Sequence, residues 1–358
     1  QGYAPAAYGK WHLGHTAGRL PTDQGFDEWY GIPNSTDEVF WADDPQVDGK
    51  TVHPFAHVEQ IFESKKGQAP KEVAVYDLKQ RELIDGEVIQ RGIDFMRRES
   101  KAGKPFFLYL PMTQTHYPVL PSPEFKGKTG NGDFADVLAQ TDAYTGRLLD
   151  AIDQLGIADN TIFIFTSDNG PEMFLPNIGS SGPWRGTYFT GLEGSLRVPF
   201  IVRWPGKVPA GAVSDEIVHQ MDVFPTLAGF TGAEVPKDRI IDGVDQGEFL
   251  LGKSAKSGRE GFVVYVGNEI YGIKWRNREI MSKEVAGGYR DAERTHGVPK
   301  LCNTLTDPKE EHASDPRALK SLWVRFPAFD VLAEHMKSMQ QEPLIRPGTP
   351  DPYLPAKP

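Results

Sequence analysis

Two oxygen-bearing side chains directly follow a segment that predicts a β-strand. Asp168 and Asn169 come just after the apolar run 161–166. They are therefore expected at the carboxyl end of a sheet strand, where open α/β sheets bind ligands. Carboxylate and amide oxygens suit Ca²⁺, with Mg²⁺ as the alternative, better than they suit zinc. Because Asp-Asn-Gly is also a common turn sequence, the pair alone predicts either a metal site or an ordinary turn.

A histidine occupies the corresponding place after another predicted strand. His116 lies in the loop 113–118, just past the apolar run 106–110. Two strands thus deliver polar side chains to one edge of the predicted sheet. A single loop histidine is more often only a surface residue, so the convergence with Asp168 is what makes His116 a candidate.

Two cations flank a tryptophan near the start of the chain. Lys10 and His12 lie on either side of Trp11 in a turn bounded by glycines. In an extended segment both cations would point the same way while the indole packs on the other side. Such a pair suits an oxyanion, although a packed turn with solvated charges would have the same sequence.

A long loop, residues 182–199, is rich in glycine and aromatic residues and leads into a predicted strand. Loops of this length within a compact domain are usually functional.

These residues need a sheet and helices to position them. Short apolar runs at 106–110, 161–166 and 198–203 predict strands buried on both faces. Between the first two, apolar residues recur at helical spacing, and Gly156 stands where a helix should end. Residues 82–98 predict another helix covering the same sheet. The strand–helix–strand order predicts an α/β fold whose central sheet is mostly parallel and flanked by helices.

The composition changes after residue 251. Residues 1–251 are predicted to form the main domain and 252–341 a smaller subdomain, in which the segments 262–266 and 271–281 predict adjacent antiparallel strands. The segment 342–358 is rich in proline and is predicted to be a tail that wraps over the surface.

Composition excludes several classes of protein. The 358 residues carry a formal net charge of −10, which argues against nucleic acid as a partner, because nucleic-acid binders gather Lys and Arg. An anionic substrate would need a local cationic pocket. No apolar run approaches the roughly 20 residues needed for a membrane span. Cys302 is the single cysteine, which excludes an internal disulfide framework.

Four motifs follow one another along the chain: Gly9-Lys-Trp-His-Leu-Gly14, Thr115-His-Tyr-Pro118, Thr166-Ser-Asp-Asn-Gly-Pro171 and Glu193-Gly-Ser-Leu-Arg-Val-Pro199. Taken together and in this order, they resemble the sulfatase family, arylsulfatases above all. The match extends over almost the whole chain.

The resemblance implies an alkaline-phosphatase-like fold, one Ca²⁺ and a formylglycine that is made after translation from Cys or Ser. By position, Asp168 and Asn169 match metal ligands of the family. Lys10 matches the lysine that contacts the sulfate and the reactive hydrate. His12 matches the histidine thought to act as base on the hydrate, and His116 the one that hydrogen-bonds the sulfate and helps to protonate the leaving group.

The resemblance places the formylglycine motif and two further metal-binding Asp residues upstream of Lys10, where this sequence has only nine residues. The chain is therefore expected to be an N-terminally truncated sulfatase that is inactive by itself. Asp43-Asp44 lies downstream of Lys10 and is not expected to replace the two ligands. Cys302 lacks the following Pro and Arg that the modifying enzyme recognises. Ser181-Gly-Pro-Trp-Arg185 fits the pattern literally but stands at the wrong place in the order of motifs.

A further departure concerns a lysine that the family usually carries shortly before the Glu-Gly segment. No Lys lies between Asn169 and Arg197, and Tyr188 aligns best with the missing residue. Arg185, three residues earlier, could supply the positive charge, although a guanidinium is a poor proton donor. Alternatively, Arg185 could simply brace the loop against a neighbouring carboxylate.

The sequence is consistent with three hypotheses about function. The first is hydrolysis of a small-molecule or carbohydrate sulfate ester, with the formylglycine-generating enzyme as a partner and a periplasmic or secreted location, all by family resemblance. The second is a phosphodiesterase or phosphonate monoester hydrolase of the same superfamily. The third is a non-catalytic relic. The segment upstream of residue 1 would discriminate among them.

Overall fold

The fold is given by a computed structural model that describes residues 1–45, 47, 57–174, 177–288, 290–313, 320–346 and 348–350. The chain divides into two units, and each is described by itself. The N-terminal unit consists mainly of Gly2–Ala158. The C-terminal unit consists mainly of Asp159–Gly348.

A mixed five-stranded sheet is the centre of the N-terminal unit. Its strands are β1 (Ala4–Lys10), β2 (Glu28–Ile32), β3 (Gln60–Lys65), β4 (Lys71–Val75) and β5 (Phe106–Tyr109). The order is β4-β3-β2-β1-β5. Strand β1 is parallel to both β2 and β5, whereas β3 and β4 are added antiparallel. The segments that follow β5, β1 and β2 therefore leave the sheet at the same edge.

Two helices accompany this sheet. Helix α1 (Leu78–Lys101) starts at the Asp77 side chain, which accepts a hydrogen bond from the Gln80 amide, and contains the predicted helix 82–98. It packs its apolar stripe against β1, where Val88 and Phe95 share a buried cluster with Tyr8. Helix α2 (Asp133–Gln154) ends just before Gly156, whose φ of 68° suits a residue after a helix, as predicted.

The C-terminal unit begins with short elements. Its strands are β6 (Phe163–Thr166), β7 (Met173–Phe174), β8 (Asn177–Ile178) and β9 (Phe200–Arg203). Its first helices are α3 (Glu193–Leu196), α4 (Val223–Thr231) and α5 (Gly247–Leu250). Short 3-10 turns occur at Ala158–Asn160, Gln220–Asp222 and Leu322–Val324. Strands β6 and β9 pair with each other, as do β7 and β8, and both pairs are antiparallel.

The prediction that the segments 106–110, 161–166 and 198–203 share one sheet and are buried on both faces is not what the structure has. Strand β5 belongs to the five-stranded sheet, and β6 and β9 form a separate antiparallel pair. Phe107 is 43% exposed and Ile201 is 58% exposed. An apolar run predicts that a strand exists, but its composition contains no information about which strand pairs with it.

A four-stranded antiparallel sheet and a helix lie within the predicted subdomain 252–341. The strands are β10 (Gly261–Val266), β11 (Glu269–Trp275), β12 (Arg278–Val285) and β13 (Glu293–Asn303), in that order across the sheet, and the helix is α6 (Arg325–Gln341). The predicted strand 271–281 is in fact parts of two strands, because the chain turns at Arg276, whose φ is 49°. Ala328 of α6 packs against Ile273 and Leu301 of the sheet.

The predicted tail lies only partly within the described residues. Residues 342–346 and 348–350 are exposed and contain neither helix nor strand, and 351–358 fall outside the described part.

Glycine is required where the backbones of β1, β2 and the segment after β5 approach one another. Gly31 has a φ of 152°, and a Cβ added there would lie 1.8 Å from the carbonyl oxygen of Gly9. A Cβ on Gly9 would lie 2.0 Å from the carbonyl oxygen of Pro111. These glycines therefore set the spacing between β2, the segment that carries Lys10 and His12, and the segment that carries His116.

We expect Gly31→Ala to lower the free energy of unfolding by roughly 3 kcal/mol, since the new methyl group both strains the backbone and overlaps a carbonyl. Gly146→Ala in α2 is the matched control, because nothing lies within 4 Å of its added Cβ. It should leave stability unchanged or raise it by up to about 1 kcal/mol. Urea denaturation of both variants measures the difference, and equal midpoints would show that Gly31 is not needed.

Candidate active site

The turn that carries Lys10 and His12 is fixed by backbone hydrogen bonds to both neighbouring segments. The Lys10 amide donates to the Pro111 carbonyl at 2.9 Å. The next two amides donate to the neighbour on the opposite side, Trp11 to the Ile32 carbonyl at 2.9 Å and His12 to the Pro33 carbonyl at 2.9 Å. The turn is thus held between the chain after β5 and the chain after β2.

Trp11 anchors this turn in the core. Its indole is buried in a cluster with Ala7, Leu20 and Trp29, and its Nε1 donates to the Arg19 carbonyl at 2.8 Å. The predicted extended conformation ends earlier than expected, because β1 stops at Lys10 and His12 has a φ of 50°.

The loop 35–38, which follows β2, supplies the polar groups that face these cations. His12 Nε2 lies 3.6 Å from the Glu38 carboxylate. Burial of Asp37 by itself would raise the pKa of its carboxyl group, but a hydrogen bond from Ser35 and the charges of His116 and Lys10 outweigh burial and lower that pKa. Asp37 is therefore ionised at neutral pH, between Lys10 and His116.

Both ring nitrogens of His116 have partners. Nδ1 lies 2.8 Å from Thr36 Oγ1 and 2.9 Å from the Tyr117 carbonyl oxygen. A carbonyl oxygen can only accept, so the second contact places a proton on Nδ1. Nε2 then faces Ser35 Oγ at 3.3 Å and Asp37 Oδ1 at 3.7 Å. This is the arrangement of a histidine oriented for proton transfer at Nε2 beside a carboxylate.

The loop of His116 is held from behind by two charged residues of α1. Arg81 and Asp85 stand one helical turn apart and are 1% and 2% exposed. The Arg81 guanidinium donates to the carbonyls of Thr113 at 3.2 Å, His116 at 2.7 Å and Pro118 at 3.1 Å. The pair therefore fixes the backbone on both sides of His116.

Asp85 completes the arrangement from the other side. Its carboxylate accepts from the Thr113 amide at 2.7 Å and the Gln114 amide at 3.0 Å. The Thr113 hydroxyl bridges the two charges, accepting from Arg81 at 2.6 Å and donating to Asp85 at 2.9 Å. Sequence reasoning missed both residues, and the signal available was a cation and an anion four residues apart at the start of a helix.

We expect Arg81→Lys to cost roughly 2 to 3 kcal/mol of unfolding free energy, since an ammonium cannot reproduce the buried fork of hydrogen bonds. The NMR signals of the His116 ring should also shift and broaden, because its loop loses three backbone anchors. The control is Arg97→Lys on the exposed side of the same helix, where Arg97 pairs with Asp94. If His116 signals are the same in both variants, Arg81 does not position His116.

In the C-terminal unit, Asp168 and Asn169 follow β6 as predicted. Asp168 Oδ1 accepts from the Asn169 amide at 2.9 Å, and the Asn169 side-chain amide donates to the Gly170 carbonyl at 2.9 Å. Both the turn and the metal-binding hypotheses agree with this geometry, since side-chain bonds to nearby backbone groups are typical of an ordinary turn, and carboxylate and amide oxygens also suit a hard cation.

Close backbone contacts join the segment that follows Asp168 and Asn169 to the loop 182–199. The Gly170 amide donates to the Ser195 carbonyl at 2.9 Å, and the Gly194 amide donates to the Arg185 carbonyl at 2.7 Å. A Cβ on Gly170 would lie 1.8 Å from the Gly194 carbonyl oxygen. The segment after β6 and the backbone of Arg185 are thus both in contact with the start of α3.

The Arg185 side chain pairs with a buried carboxylate. Its Nη2 lies 3.2 Å from Glu284 Oε2 on β12, and Glu284 is 3% exposed. This is a contact of the kind that the bracing alternative requires. Tyr188 is the position that best matches the missing lysine, and its ring centroid lies 4.2 Å from that of Phe189 with the two planes tilted by 58°.

The two residues with a superficial resemblance to a modified nucleophile have structural roles. Cys302 is buried on β13, and burial, followed by the charge of Glu310, raises the pKa of its thiol to about 12. It is therefore a neutral thiol at physiological pH. The Ser181 hydroxyl donates to the Trp184 carbonyl at 2.7 Å and closes a turn of the loop.

The candidate residues thus form two groups. In the N-terminal unit Lys10, His12 and His116 surround the loop 35–38, and in the C-terminal unit Asp168 and Asn169 lie next to the loop of Arg185. The hypothesis that all six residues line one pocket stays a prediction. Among the described residues, no cluster of three or more His, Cys, Asp or Glu side chains is arranged to hold a metal ion, and no helix has the length and apolar character of a membrane span.

Comparisons with known proteins agree with these features. The sulfatase family model matches residues 1–233. The chain is 37% identical over 254 residues to N-acetylgalactosamine-6-sulfatase of Canis lupus familiaris, covering 70% of this chain and 47% of that protein. It is 35% identical over 271 residues to arylsulfatase A of Bos taurus, covering 74% and 52%.

A solved structure is similar in fold as well. The crystal structure of the PsFucS1 sulfatase from Pseudoalteromonas sp. matches with a TM-score of 0.86 at 27% identity, covering 96% of this chain and 72% of that one. The chain therefore belongs to the sulfatase family, and the predicted fold class is confirmed. It spans about half the length of the curated relatives it matches.

Proposed function

We propose that the protein to which this chain belongs hydrolyses sulfate esters carried by a carbohydrate. The observation that carries the proposal is the grouping of Lys10, His12 and His116 around the loop 35–38 at one edge of the sheet. The carbohydrate is suggested by the relative named N-acetylgalactosamine-6-sulfatase. No specific observation favours the phosphoester hydrolase or the relic. A periplasmic or secreted location is part of the same proposal.

We assign His116 the role of general acid, which donates a proton to the departing alcohol. When an S–O bond breaks, the alkoxide leaves with the bonding electron pair and must gain a proton. A proton on His116 Nε2 is available for transfer to it, while the contact with Tyr117 keeps Nδ1 protonated. The Asp37 carboxylate at 3.7 Å stabilises the cationic imidazole before the transfer.

Lys10 and His12 are assigned to the anionic end of the substrate. The ammonium of Lys10 attracts the sulfate oxygens and stabilises the charge that develops on them. His12, close to Glu38, is placed as the base that the family resemblance implies. Because the backbone of this turn is fixed on both sides, the fold sets the positions from which the two side chains extend.

Asp168 and Asn169 are proposed to hold Ca²⁺, or alternatively Mg²⁺. The carboxylate and amide oxygens fit a hard cation in kind, and they supply only part of the roughly six to eight oxygens that Ca²⁺ prefers. A bound cation would polarise the sulfuryl oxygens there. Formylglycine is proposed as the nucleophile and the formylglycine-generating enzyme as the partner that makes it. Cys302, buried and neutral, does not fit that role.

The function is tested on the native protein that carries this chain, by following sulfate release from N-acetylgalactosamine 6-sulfate and from 4-nitrocatechol sulfate. His116→Ala should lower kcat by about 10² to 10⁴, the usual value of one general acid. His57→Ala is the control, because His57 is an exposed histidine of the same unit whose side chain pairs with Glu59. Cleavage of bis(4-nitrophenyl) phosphate without sulfate release would instead establish the phosphodiesterase alternative.

Arg185 offers a separate test in the native protein. If its guanidinium stabilises the sulfuryl charge, Arg185→Ala should lower kcat by an amount equivalent to roughly 3 kcal/mol. Arg185→Lys should restore only part of the rate. If Arg185 acts only as a brace for Glu284, the alanine variant melts at a lower temperature while its folded fraction keeps the normal single-turnover rate. Melting temperature and rate are therefore measured on the same samples.

A further inference from the structure

Three cationic side chains and a histidine converge on one carboxylate in the C-terminal unit. Lys300 Nζ lies 2.7 Å and Arg185 Nη2 lies 3.2 Å from Glu284 Oε2. On the other oxygen, Oε1, Arg294 Nη1 lies at 3.5 Å and His296 Nε2 at 3.6 Å. These five residues are called the Glu284 cluster.

An irregularity in strand pairing brings the cations together. Met281 of β12 is opposite Lys300, whereas Lys283 is opposite Thr295. Ser282 alone therefore stands opposite the four residues 296–299, which bulge out of β13. A bulge of this kind redirects side chains, and here Arg294 and Lys300, on its two sides, both reach Glu284.

The cluster carries more positive than negative charge. Arg185, Arg294 and Lys300 are permanent cations at neutral pH, and Glu284 is a single anion. Burial opposes ionisation of Glu284, but the hydrogen bond from Lys300 and the surrounding charges outweigh burial and lower the pKa of its carboxyl group. The adjacent Glu310 accepts from Lys300 at 3.2 Å through its backbone carbonyl, and burial raises the pKa of its carboxyl group.

Hydrogen-bond donors in the cluster are also left over. Within the described part of the chain, Arg185 Nε and His296 Nε2 are buried without a hydrogen-bond partner. Buried polar atoms in this state are rare and call for an explanation. Arg294 is 68% exposed in its side chain, so the cluster is open to solvent. A surplus of charge, unused donors and access from solvent are the features of a site for an anion.

We propose that the Glu284 cluster is a binding subsite for an anionic group, a carboxylate or a sulfate, on an acidic carbohydrate. The choice of a carbohydrate rests on the proposed function. The binding itself does not, because it requires neither the metal nor the nucleophile. The oxygens of the anion would accept hydrogen bonds from Arg294, from the unpartnered nitrogens of Arg185 and His296, and from Lys300.

The test is an equilibrium binding measurement by calorimetry on the 358-residue chain at low ionic strength. Three tetrasaccharides serve as probes: a sulfated galactan without carboxylates, hyaluronan without sulfates, and the desulfated galactan as the neutral reference. Tighter binding of the sulfated galactan alone identifies sulfate as the ligand, and tighter binding of hyaluronan alone identifies carboxylate. Binding no tighter than that of the neutral sugar for both anionic probes overturns the proposal.

Arg294→Ala ties the binding to the cluster. Arg294 is largely exposed, so the variant should fold, and its affinity for the anionic probe should fall at least fivefold. Arg276→Ala is the matched control, since Arg276 is an exposed arginine of the same sheet that pairs with Glu260. Equal affinities of the two variants overturn the proposal even if the chain binds the probe.

Glu284→Gln distinguishes an anion-binding cluster from a cluster that only stabilises the fold. Removing the negative charge should tighten anion binding, whereas a cluster that only braces the fold would melt earlier without tighter binding. If this variant does not fold, Arg294→Ala still decides. The binding result is independent of the proposed hydrolysis. Binding of the anion by the chain supports the subsite even if no sulfate is released. Absence of turnover in the native protein counts against the sulfatase proposal alone.

Discussion

The buried guanidinium of Arg81 is the interaction on which the N-terminal half of the candidate site depends. A charge removed from water is stable only if it is fully hydrogen-bonded. Arg81 meets that requirement through the backbone carbonyls of an irregular loop, and Asp85 meets it through amides of the same loop. The loop would otherwise leave these groups unsatisfied. Each hydrogen bond between the helix and the loop therefore satisfies a buried polar group on both sides. These bonds fix the backbone of the loop, and the loop carries His116.

The C-terminal unit uses the same principle with the signs reversed. Glu193, at the start of α3, is buried and contacts both Lys274 and Arg197, and Asp222 is buried against Arg259. Lys274 and Arg259 come from distant parts of the chain, whereas Arg197 stands four residues from Glu193. Glu193 contacts two cations and Asp222 contacts one, whereas two arginines, a lysine and a histidine reach Glu284. The larger number of cations at Glu284 is what favours an anion site there over a purely structural ion pair.

Much of the fold could be predicted from the sequence where apolar spacing carries the information. Helix α1 was predicted from its spacing, but the prediction began at residue 82 and excluded Arg81, because periodicity counts apolar residues and ignores a buried cation. Strands β1 and β2 were missed, since Ala4-Pro-Ala-Ala-Tyr-Gly-Lys10 and Glu28-Trp-Tyr-Gly-Ile32 contain few β-branched residues. The loop 35–38 was missed for the same reason: without β2, nothing indicated that it lies at the edge of a sheet. Lys10, His12, His116, Asp168, Asn169 and Arg185 came from short motifs, and their contacts depend on pairing that no motif contains.

The tight contact between Gly170 and Gly194 has a consequence for which positions of the loop 182–199 can change. A Cβ on Gly170 would lie 1.8 Å from the Gly194 carbonyl oxygen, and a Cβ on Gly194 would lie 2.5 Å and 2.6 Å from the carbonyl oxygens of Gly186 and Arg185. The tip of the loop is different, because Phe189 is 48% exposed. Side chains at the tip can therefore be exchanged without moving the segment that carries Asp168 and Asn169, whereas a substitution at either glycine would displace it.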